Sequence, residues 1–199
     1  DDDCPNNREI WKSLAELGMT GILIPEECGG SNLNLLDACL ASQSIGYSVT
    51  PTPFVSSAVM VPTALRELEH PLISGWLAGI ASGEIAFGIA VTETFSIREG
   101  AGIAIDQGKL SGKAMMALDI CSADLILLAI GSEHLAVVRG DSPGLKKARL
   151  ATTDATRCTS ELLLEDVAPE VIFQDVGNTI ERMLDAGRIA LAADSLGAC

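Results

Sequence analysis

Apolar residues follow two different periods along the chain. Up to residue 83 they recur at the three- and four-residue spacing of amphipathic helices, as in the segment from Ile10 to Leu17. From Ile85 they form short runs separated by Gly, Ser, Asp and Pro, which is typical of strands. The helical period returns near Gly177. This pattern predicts an α+β fold with an N-terminal helical domain (1–83), a middle β-barrel or sandwich (84–172) and the start of a C-terminal helical bundle (173–199).

Capping signals mark the ends of the first predicted helices. Asn6 precedes the first helix, with Glu9 three residues later in the capping-box position, and Gly18 ends that helix. A second helix begins near Asn34. One face of this second helix carries Leu36, Cys39 and Leu40.

Three further helical stretches are predicted. The stretch 54–68 is interrupted at Pro62, which bends the helix or starts a new one, and a second stretch has an apolar stripe over 72–80. The last helix carries Ile180, Leu184 and Leu191. Because no partner helix follows in this chain, these three side chains are expected to be exposed or covered by another chain.

Four apolar runs predict buried strands, and one turn predicts a hairpin. The runs are 85–91, 123–130, 134–138 and 161–164. The dipeptide Gln107-Gly108 resembles a two-residue hairpin turn and would join 101–106 to 109–111. Strands this short and this closely spaced are typical of a compact sandwich or barrel.

The charge balance excludes one class of function. With 27 acidic and 13 basic side chains the formal net charge is −14, whereas binding to a phosphate backbone requires a basic face. Aromatic residues, at 4%, are too scarce for base-stacking platforms. Hydrophobic residues make up 48% of the chain, which excludes intrinsic disorder. We therefore expect an acidic globular protein that does not bind nucleic acid.

Three features bear on the cellular compartment. The most apolar stretch, 72–91, is about long enough to span a bilayer, but Glu84 and several glycines interrupt it, so it predicts a buried helix followed by a buried strand. The start of the chain does not have the pattern of a secretory signal. The six cysteines lack CxxC spacing, which at this length favours reduced thiols in a cytoplasmic protein over a disulfide framework or a zinc site.

Few residues have the spacing of a known catalytic or ligand-binding motif. His70 and His134 lie in different predicted domains without ligand-spaced neighbours, so no metal site is predicted. No glycine-rich segment has the spacing of a dinucleotide- or triphosphate-binding loop. Thr92-Glu93 follows an apolar strand and is either a polar site at the sheet edge or the solvent end of that strand. Composition alone favours the solvent end.

Short motifs in a fixed order resemble the acyl-CoA dehydrogenase family. The family's N-terminal signature is similar to the segment from Trp11 to Gly18 and its continuation through Ile24-Pro25-Glu26-Glu27-Cys28-Gly29-Gly30. Further similar motifs, in order along the chain, are Asp37 to Tyr47, Pro51 to Phe54, Ala90 to Glu93, Leu110 to Lys113, Ser122 to Asp124, Leu162 to Pro169 and Leu184 to Arg188. The family also has helices, a small β-barrel and a helical bundle in this order.

The resemblance implies a flavoprotein with FAD bound against the middle domain. The cofactor-binding residues that it implies are Ile89, Val91, Thr92, Met115, Met116 and Ala117. The first three would lie against the flavin ring, with the Thr92 hydroxyl at its pyrimidine edge. The last three would lie beside the dimethylbenzene and N5 side of the ring. Members of the family remove an α-proton and a β-hydride from an acyl-CoA thioester, and the proton requires a carboxylate base.

Three departures from the family pattern affect this implied site. Residues 94–97 replace the Gly-Ser-Asp turn that holds a flavin phosphate, and 115–117 replace a Trp-Ile-Thr motif. Gly187 stands where a subset of the family has its catalytic Glu, and the family's other base position lies beyond Cys199. The catalytic residue is therefore unknown, and we do not assign the role to Asp185 on the same helix.

Three functions remain open on the sequence. The first is a flavoprotein subunit that oxidises an acyl-CoA to 2-enoyl-CoA. The second is a non-catalytic structural subunit of a heteromeric acyl-CoA dehydrogenase, with weakened or lost FAD binding. The third is an unrelated small α+β binding module. The resemblance further implies an acyl-CoA substrate, an electron-transfer partner and a homo- or heterotetramer, without membrane insertion.

Overall fold

The computed structural model describes residues 8–91, 100–154 and 156–199. Its N-terminal helices are α1 (Arg8–Glu16), α2 (Leu35–Tyr47), α3 (Val61–Leu65) and α4 (Ile73–Ala81), with a 3-10 turn (Glu26–Cys28) and a π-helix (Phe54–Met60) between them. The strands are β1 (Phe87–Ala90), β2 (Gly102–Asp106), β3 (Lys109–Leu118), β4 (Leu125–Ile130), β5 (His134–Arg139), β6 (Leu145–Arg149), β7 (Thr159–Val167) and β8 (Val171–Phe173). Helix α5 (Gly177–Ala198) follows. The α+β order of helices, central sheet and C-terminal helix is confirmed, and the division into domains at 84 and 173 stays a prediction.

Helix α2 begins where its capping signal predicts. The Asn34 side chain accepts a hydrogen bond from the Leu36 backbone N–H at 2.8 Å, and Asp37 accepts one from the Asn34 N–H at 3.1 Å. The capping residue of α1, Asn6, lies outside the described residues. Gly18, with φ +74°, follows the end of α1 in the left-handed region that favours glycine.

The face of α2 that carries its leucines is exposed and does not belong to the apolar core. Leu36 is 68% exposed and Leu40 59% exposed, whereas the buried side of the helix consists of small residues and one isoleucine: Ala38, Ala41, Ser42, Ile45 and Gly46. Small side chains let a second helix approach closely, and α5 packs on this side.

The break at Pro62 is a change of helix type. The π-helix, whose seven residues are all buried, passes into α3 with Pro62 in its first turn, where a missing backbone N–H costs least. The π-helix also contacts the sheet, because the buried Phe87 N–H donates a hydrogen bond to Ser57 Oγ at 2.9 Å.

All eight strands belong to one sheet with the order β6-β7-β3-β1-β4-β5-β8, and β2 pairs with β3. The predicted hairpin at Gln107-Gly108 is confirmed, since Asp106 opposes Lys109 across it. Strand β1 pairs parallel with β4 and antiparallel with β3. The sequence prediction missed β6 and β8, which are short and lie at the two ends of the strand order.

The central strands of the sheet, β1 and β4, are buried on both faces. Leu125, Leu127 and Ala129 of β4 join a core cluster with the N-terminal helices and α5. The alternate residues Ile126, Leu128 and Ile130 join a second cluster with side chains from β3 and β7. Burial on both faces explains why β4 is a continuous apolar run instead of an alternating one.

Helix α5 finds its partners within this chain. It packs against α2, the π-helix and α3, so that Ile180 and Leu184 are 0% and 4% exposed and their predicted exposure is wrong; Leu191 is 37% exposed. The N-terminal helices cover these side chains of α5, and the sequence pattern did not reveal this contact. A Cβ added at Gly46 would lie 1.9 Å from the Asp194 carbonyl oxygen, so the backbones of α2 and α5 touch directly.

Cys121 and Cys158 form a disulfide, which corrects the prediction that all six cysteines are reduced. They are 37 residues apart, but the pairing of Leu118 with Thr159 across β3 and β7 brings their Cα atoms within 6.5 Å. Sequence spacing does not show a contact that strand register creates. In the described part of the chain, no helix is long and apolar enough to cross a membrane.

Candidate functional site

The implied flavin residues lie on two neighbouring strands. Ile89 of β1 opposes Leu118 of β3 in an antiparallel pair, so the end of β1 at Val91 runs beside residues 115–117 of β3. Met116 is 41% exposed and Val91 7% exposed. Thr92 lies outside the described residues. The pairing of β1 with β3 therefore brings Ile89 and Val91 close to residues 115–117.

Met115 and Met116 occupy an irregular point of β3. The register against β7 shifts between Ala114 and Ala117, which is the signature of a β-bulge, and Met116 has φ +56°. A bulge re-aims side chains that strict alternation would turn into the core. The bulge at Met115 and Met116 brings their polarisable thioether side chains toward the solvent-facing side of β3.

Two of the implied flavin residues are enclosed by the protein. Ile89 is 1% exposed and belongs to the core cluster shared with the helices, while Ala117 is 0% exposed and belongs to the cluster on the other side of the sheet. Of the other described candidates, Val91 is buried in the same core cluster as Ile89, whereas Met115 is half-buried and Met116 is exposed.

These three side chains fit one aspect of flavin binding. They supply an apolar wall, which suits the hydrocarbon edge of a flavin ring. None of the three carries a hydroxyl, amide or charged group, so they cannot hydrogen-bond the polar atoms of the ring. Among the described candidates the site is therefore apolar only.

A buried carboxylate behind β3 was missed on the sequence. Asp119 is 2% exposed and accepts a hydrogen bond from Ser56 Oγ of the π-helix at 2.6 Å. Its backbone N–H donates to the Cys158 carbonyl at 2.7 Å. The signal available in the sequence was an acidic residue between apolar neighbours Leu118 and Ile120. Asp119 thereby links the helices, β3 and the loop before β7.

The family's alternative base position is closed by packing. Gly187 lies in the buried part of α5, and a Cβ added there would lie 2.6 Å from the sulfur of Met60 in the π-helix. Asp185, two residues earlier, is exposed and pairs with Arg188 at 2.6 Å. No carboxylate therefore stands at position 187, and the nearby one is held in an ion pair.

A groove of about 510 Å³ runs along this part of α5 and meets the turn between β4 and β5. Three carboxylates line it, those of Glu133, Glu181 and Asp185, against one guanidinium, that of Arg188. The groove is therefore acidic. In the described residues, no three His, Cys, Asp or Glu side chains cluster closely enough to hold a metal ion.

Comparisons with known proteins agree on one family. The profile of the acyl-CoA dehydrogenase N-terminal domain matches residues 1–84. Acyl-CoA dehydrogenase IpdE2 of Mycobacterium tuberculosis is 28% identical over 193 residues, which cover 96% of this chain and 50% of that protein. The solved Tcur3481-Tcur3483 steroid ACAD G363A variant is 27% identical, with a TM-score of 0.82 over 96% of this chain and 54% of the other.

A further solved structure has the same fold. Glutaryl-CoA dehydrogenase of Mycobacterium smegmatis in complex with FADH2 is 19% identical, with a TM-score of 0.76 over 96% of this chain and 54% of that chain. Residues 1–84 thus match the acyl-CoA dehydrogenase N-terminal domain, and 96% of the chain is similar to acyl-CoA dehydrogenases. It spans between 23% and 50% of the length of the curated relatives it matches.

Proposed function

We propose that this chain is part of a FAD-dependent acyl-CoA dehydrogenase that converts an acyl-CoA thioester into a 2-enoyl-CoA. The observation that carries the proposal is the β3 bulge, which brings Met115 and Met116 to the strand surface beside the end of β1 in a chain similar to this family. When bound, FAD would accept the β-hydride of the substrate.

The described residues have a supporting role in this chemistry. Val91, Met115 and Met116 pack against the ring and exclude water from one edge of it. We propose that Thr92 adds the hydrogen bond that the other candidates cannot make. The base that removes the α-proton comes from outside the described residues, because Gly187 has no side chain and Met60 fills the space beside it.

The further requirements of the reaction are proposals of the same kind. The substrate would be an acyl-CoA, and an electron-transfer partner would reoxidise the flavin. We propose a homo- or heterotetramer, as the resemblance to the family implies. The relatives named above are acyl-CoA dehydrogenases, which supports the class of reaction and leaves the acyl group open.

A non-catalytic structural subunit is the second candidate, and two observations favour it. Met60 occupies the space where a base at position 187 would project. The groove beside Arg188 carries an excess of two negative charges, which would repel the phosphates of CoA. In this alternative, an active homologue would supply the base and an intact phosphate-binding turn.

Flavin content decides between the two candidates. The full-length protein is purified alone and with a co-expressed homologue, and the flavin absorbance is divided by the protein concentration. One FAD per chain in the protein alone, with bleaching on addition of acyl-CoA, is the result expected of the enzyme. A colourless protein that becomes yellow only with the homologue, at fewer than one FAD per chain, would establish the structural subunit instead.

A variant tests whether the bulge contacts the flavin. Met116→Asp places a charge against the apolar ring, so we expect FAD affinity to fall about tenfold, which corresponds to about 1.4 kcal/mol. Leu17→Asp is the control, because Leu17 is an equally apolar side chain, 75% exposed, that follows α1. Equal FAD affinity in both variants would remove Met116 from the site.

A further inference from the structure

A second cleft lies beside α5. It has a volume of about 590 Å³, within the range of small-molecule sites. Helix α3, helix α5 and the segment that leads into α2 form its walls. None of the implied flavin residues lines this cleft. It is therefore separate from the site proposed above.

Charge pairing leaves one cation in this cleft without a counter-charge. Glu67 pairs with Arg182 at 2.7 Å, which raises the pKa of Arg182, and Asp185 pairs with Arg188. Arg66 has no carboxylate within ion-pair distance among the described residues. Its Nη1 instead donates a hydrogen bond to the neutral Leu23 carbonyl at 3.1 Å.

This single hydrogen bond holds the Arg66 guanidinium in place without neutralising it. A guanidinium has five N–H donors in a rigid fork, so most of the donors of Arg66 remain available to a ligand. The fork matches the two oxygens of a carboxylate. Arg66 therefore provides a cation at one end of the cleft.

Apolar side chains form part of the lining, beside polar residues of the cleft walls. Leu33 is 47% exposed and Ile189 is 49% exposed, and both line the cleft together with Leu23 and Leu35. Exposed aliphatic side chains gain about 25 cal/mol for each Å² that a ligand covers. A hydrocarbon body would cover these side chains while its head group reaches Arg66.

We propose that this cleft binds an amphipathic carboxylate. Its carboxylate would lie on Arg66, and its aliphatic body, of about eight to ten carbons, would lie between Leu33 and Ile189. Two sources have this chemistry: a free fatty acid, and the far end of an acyl chain that carries a second carboxylate. The proposal does not depend on flavin binding or on the dehydrogenase reaction.

Calorimetric titration of the full-length protein with decanoate and with decanamide tests the charge requirement. Decanamide has the same length and no charge. We expect decanoate to bind at least about tenfold more tightly, since each tenfold step is about 1.4 kcal/mol. Equal affinity of the two, or no binding of decanoate, would overturn the proposal whether or not the protein holds FAD.

Variants locate the interaction. Arg66→Gln is expected to reduce decanoate affinity to that of decanamide, while Arg66→Lys retains part of it and shows that the cleft is intact. Ile189→Ser should weaken both ligands. Arg139→Gln is the matched control, because Arg139 is an exposed arginine outside the cleft. Unchanged decanoate binding in a folded Arg66→Gln protein would refute the assignment.

The same variants distinguish the two sources. If the natural carboxylate is the end of an acyl chain, decanedioyl-CoA binds more tightly than decanoyl-CoA, and only decanedioyl-CoA loses affinity in Arg66→Gln. If it is a free acid, the two CoA esters bind equally and only decanoate responds to the variant. Either result supports a carboxylate on Arg66, and a variant that affects none of these ligands contradicts it.

Discussion

Position 187 is a glycine that packs against Met60 of the π-helix. Gly187 lets α5 lie directly against Met60, and the sulfur of Met60 fills the space that a longer residue would need. Both residues are buried, so a change at one is felt by the other.

Gly187→Glu should therefore destabilise the protein. The new side chain would overpack the contact and bury a carboxylate, and overpacking alone costs about 1–3 kcal/mol. Urea unfolding measures the loss. Met60→Ala removes the obstructing atoms, so the double variant should recover part of the stability that Gly187→Glu loses. Additive effects of the two changes would show that the contact with Met60 is not the cause.

The resemblance in the sequence implies which residues would form a flavin site but says nothing of their accessibility. Alternation along a strand assigns side chains to two faces, and at the centre of this sheet both faces are covered. Ile89 and Ala117 are consequently enclosed on opposite sides, and only the bulge at Met116 escapes this pattern. A bulge depends on the register between two strands, which no local pattern contains.

Between elements, the closest approach is that of α2 and α5. A Cβ at Gly46 would lie 1.9 Å from the Asp194 carbonyl, and one at Gly197 would lie 1.9 Å from the Gln43 carbonyl. Both contacts are with backbone, which cannot move aside without moving a helix. The two glycines therefore set the distance between these helices.

Gly46→Ala should separate α2 from α5 and lower stability by about 1–3 kcal/mol. Gly75→Ala is the matched control, because Gly75 lies in α4 with nothing within 4 Å of its added Cβ. There the gain in helix propensity should stabilise the protein by about 0.5–1 kcal/mol. Thermal unfolding of the two variants should shift in opposite directions, and a shift in the same direction would contradict the close contact.

Periodicity and caps were sufficient to place most elements, including the start of α2 at Asn34 and the hairpin at Gln107-Gly108. They failed for contacts between elements. Leu36 and Leu40 have the spacing of a core face, yet α5 packs on the small-residue side of α2. A hydrophobicity pattern assigns the large apolar residues of a helix to its buried face, whereas close packing of two helices requires small residues.

Over the whole molecule, the disulfide between Cys121 and Cys158 ties the loop after β3 to the loop before β7. Its reduction should lower stability by about 2–4 kcal/mol, since it closes a long segment of chain. Urea unfolding with and without dithiothreitol measures this loss. Cys158→Ser should remove the dependence on dithiothreitol, and Cys28→Ser, at a free cysteine, should retain it.

Peptide mapping without reductant provides an independent check. One linked peptide should contain Cys121 and Cys158, and the free thiols Cys28, Cys39 and Cys199 should all be alkylated after denaturation. Burial raises the pKa of Cys39, so its alkylation in the folded protein should be slow below that pKa, where the thiol is protonated. Alkylation of Cys121 and Cys158 without reductant would contradict the disulfide.

Contacts between early and late parts of the chain, such as that of Ser57 with the Phe87 N–H, have a consequence for synthesis on the ribosome. Strand β1 needs β4 as its parallel neighbour, and the N-terminal helices need α5 as their cover. A nascent chain that ends near residue 84 therefore exposes apolar helix surface until more than one hundred further residues have emerged. Chaperones that bind apolar segments should find their target in this interval, before α5 is made.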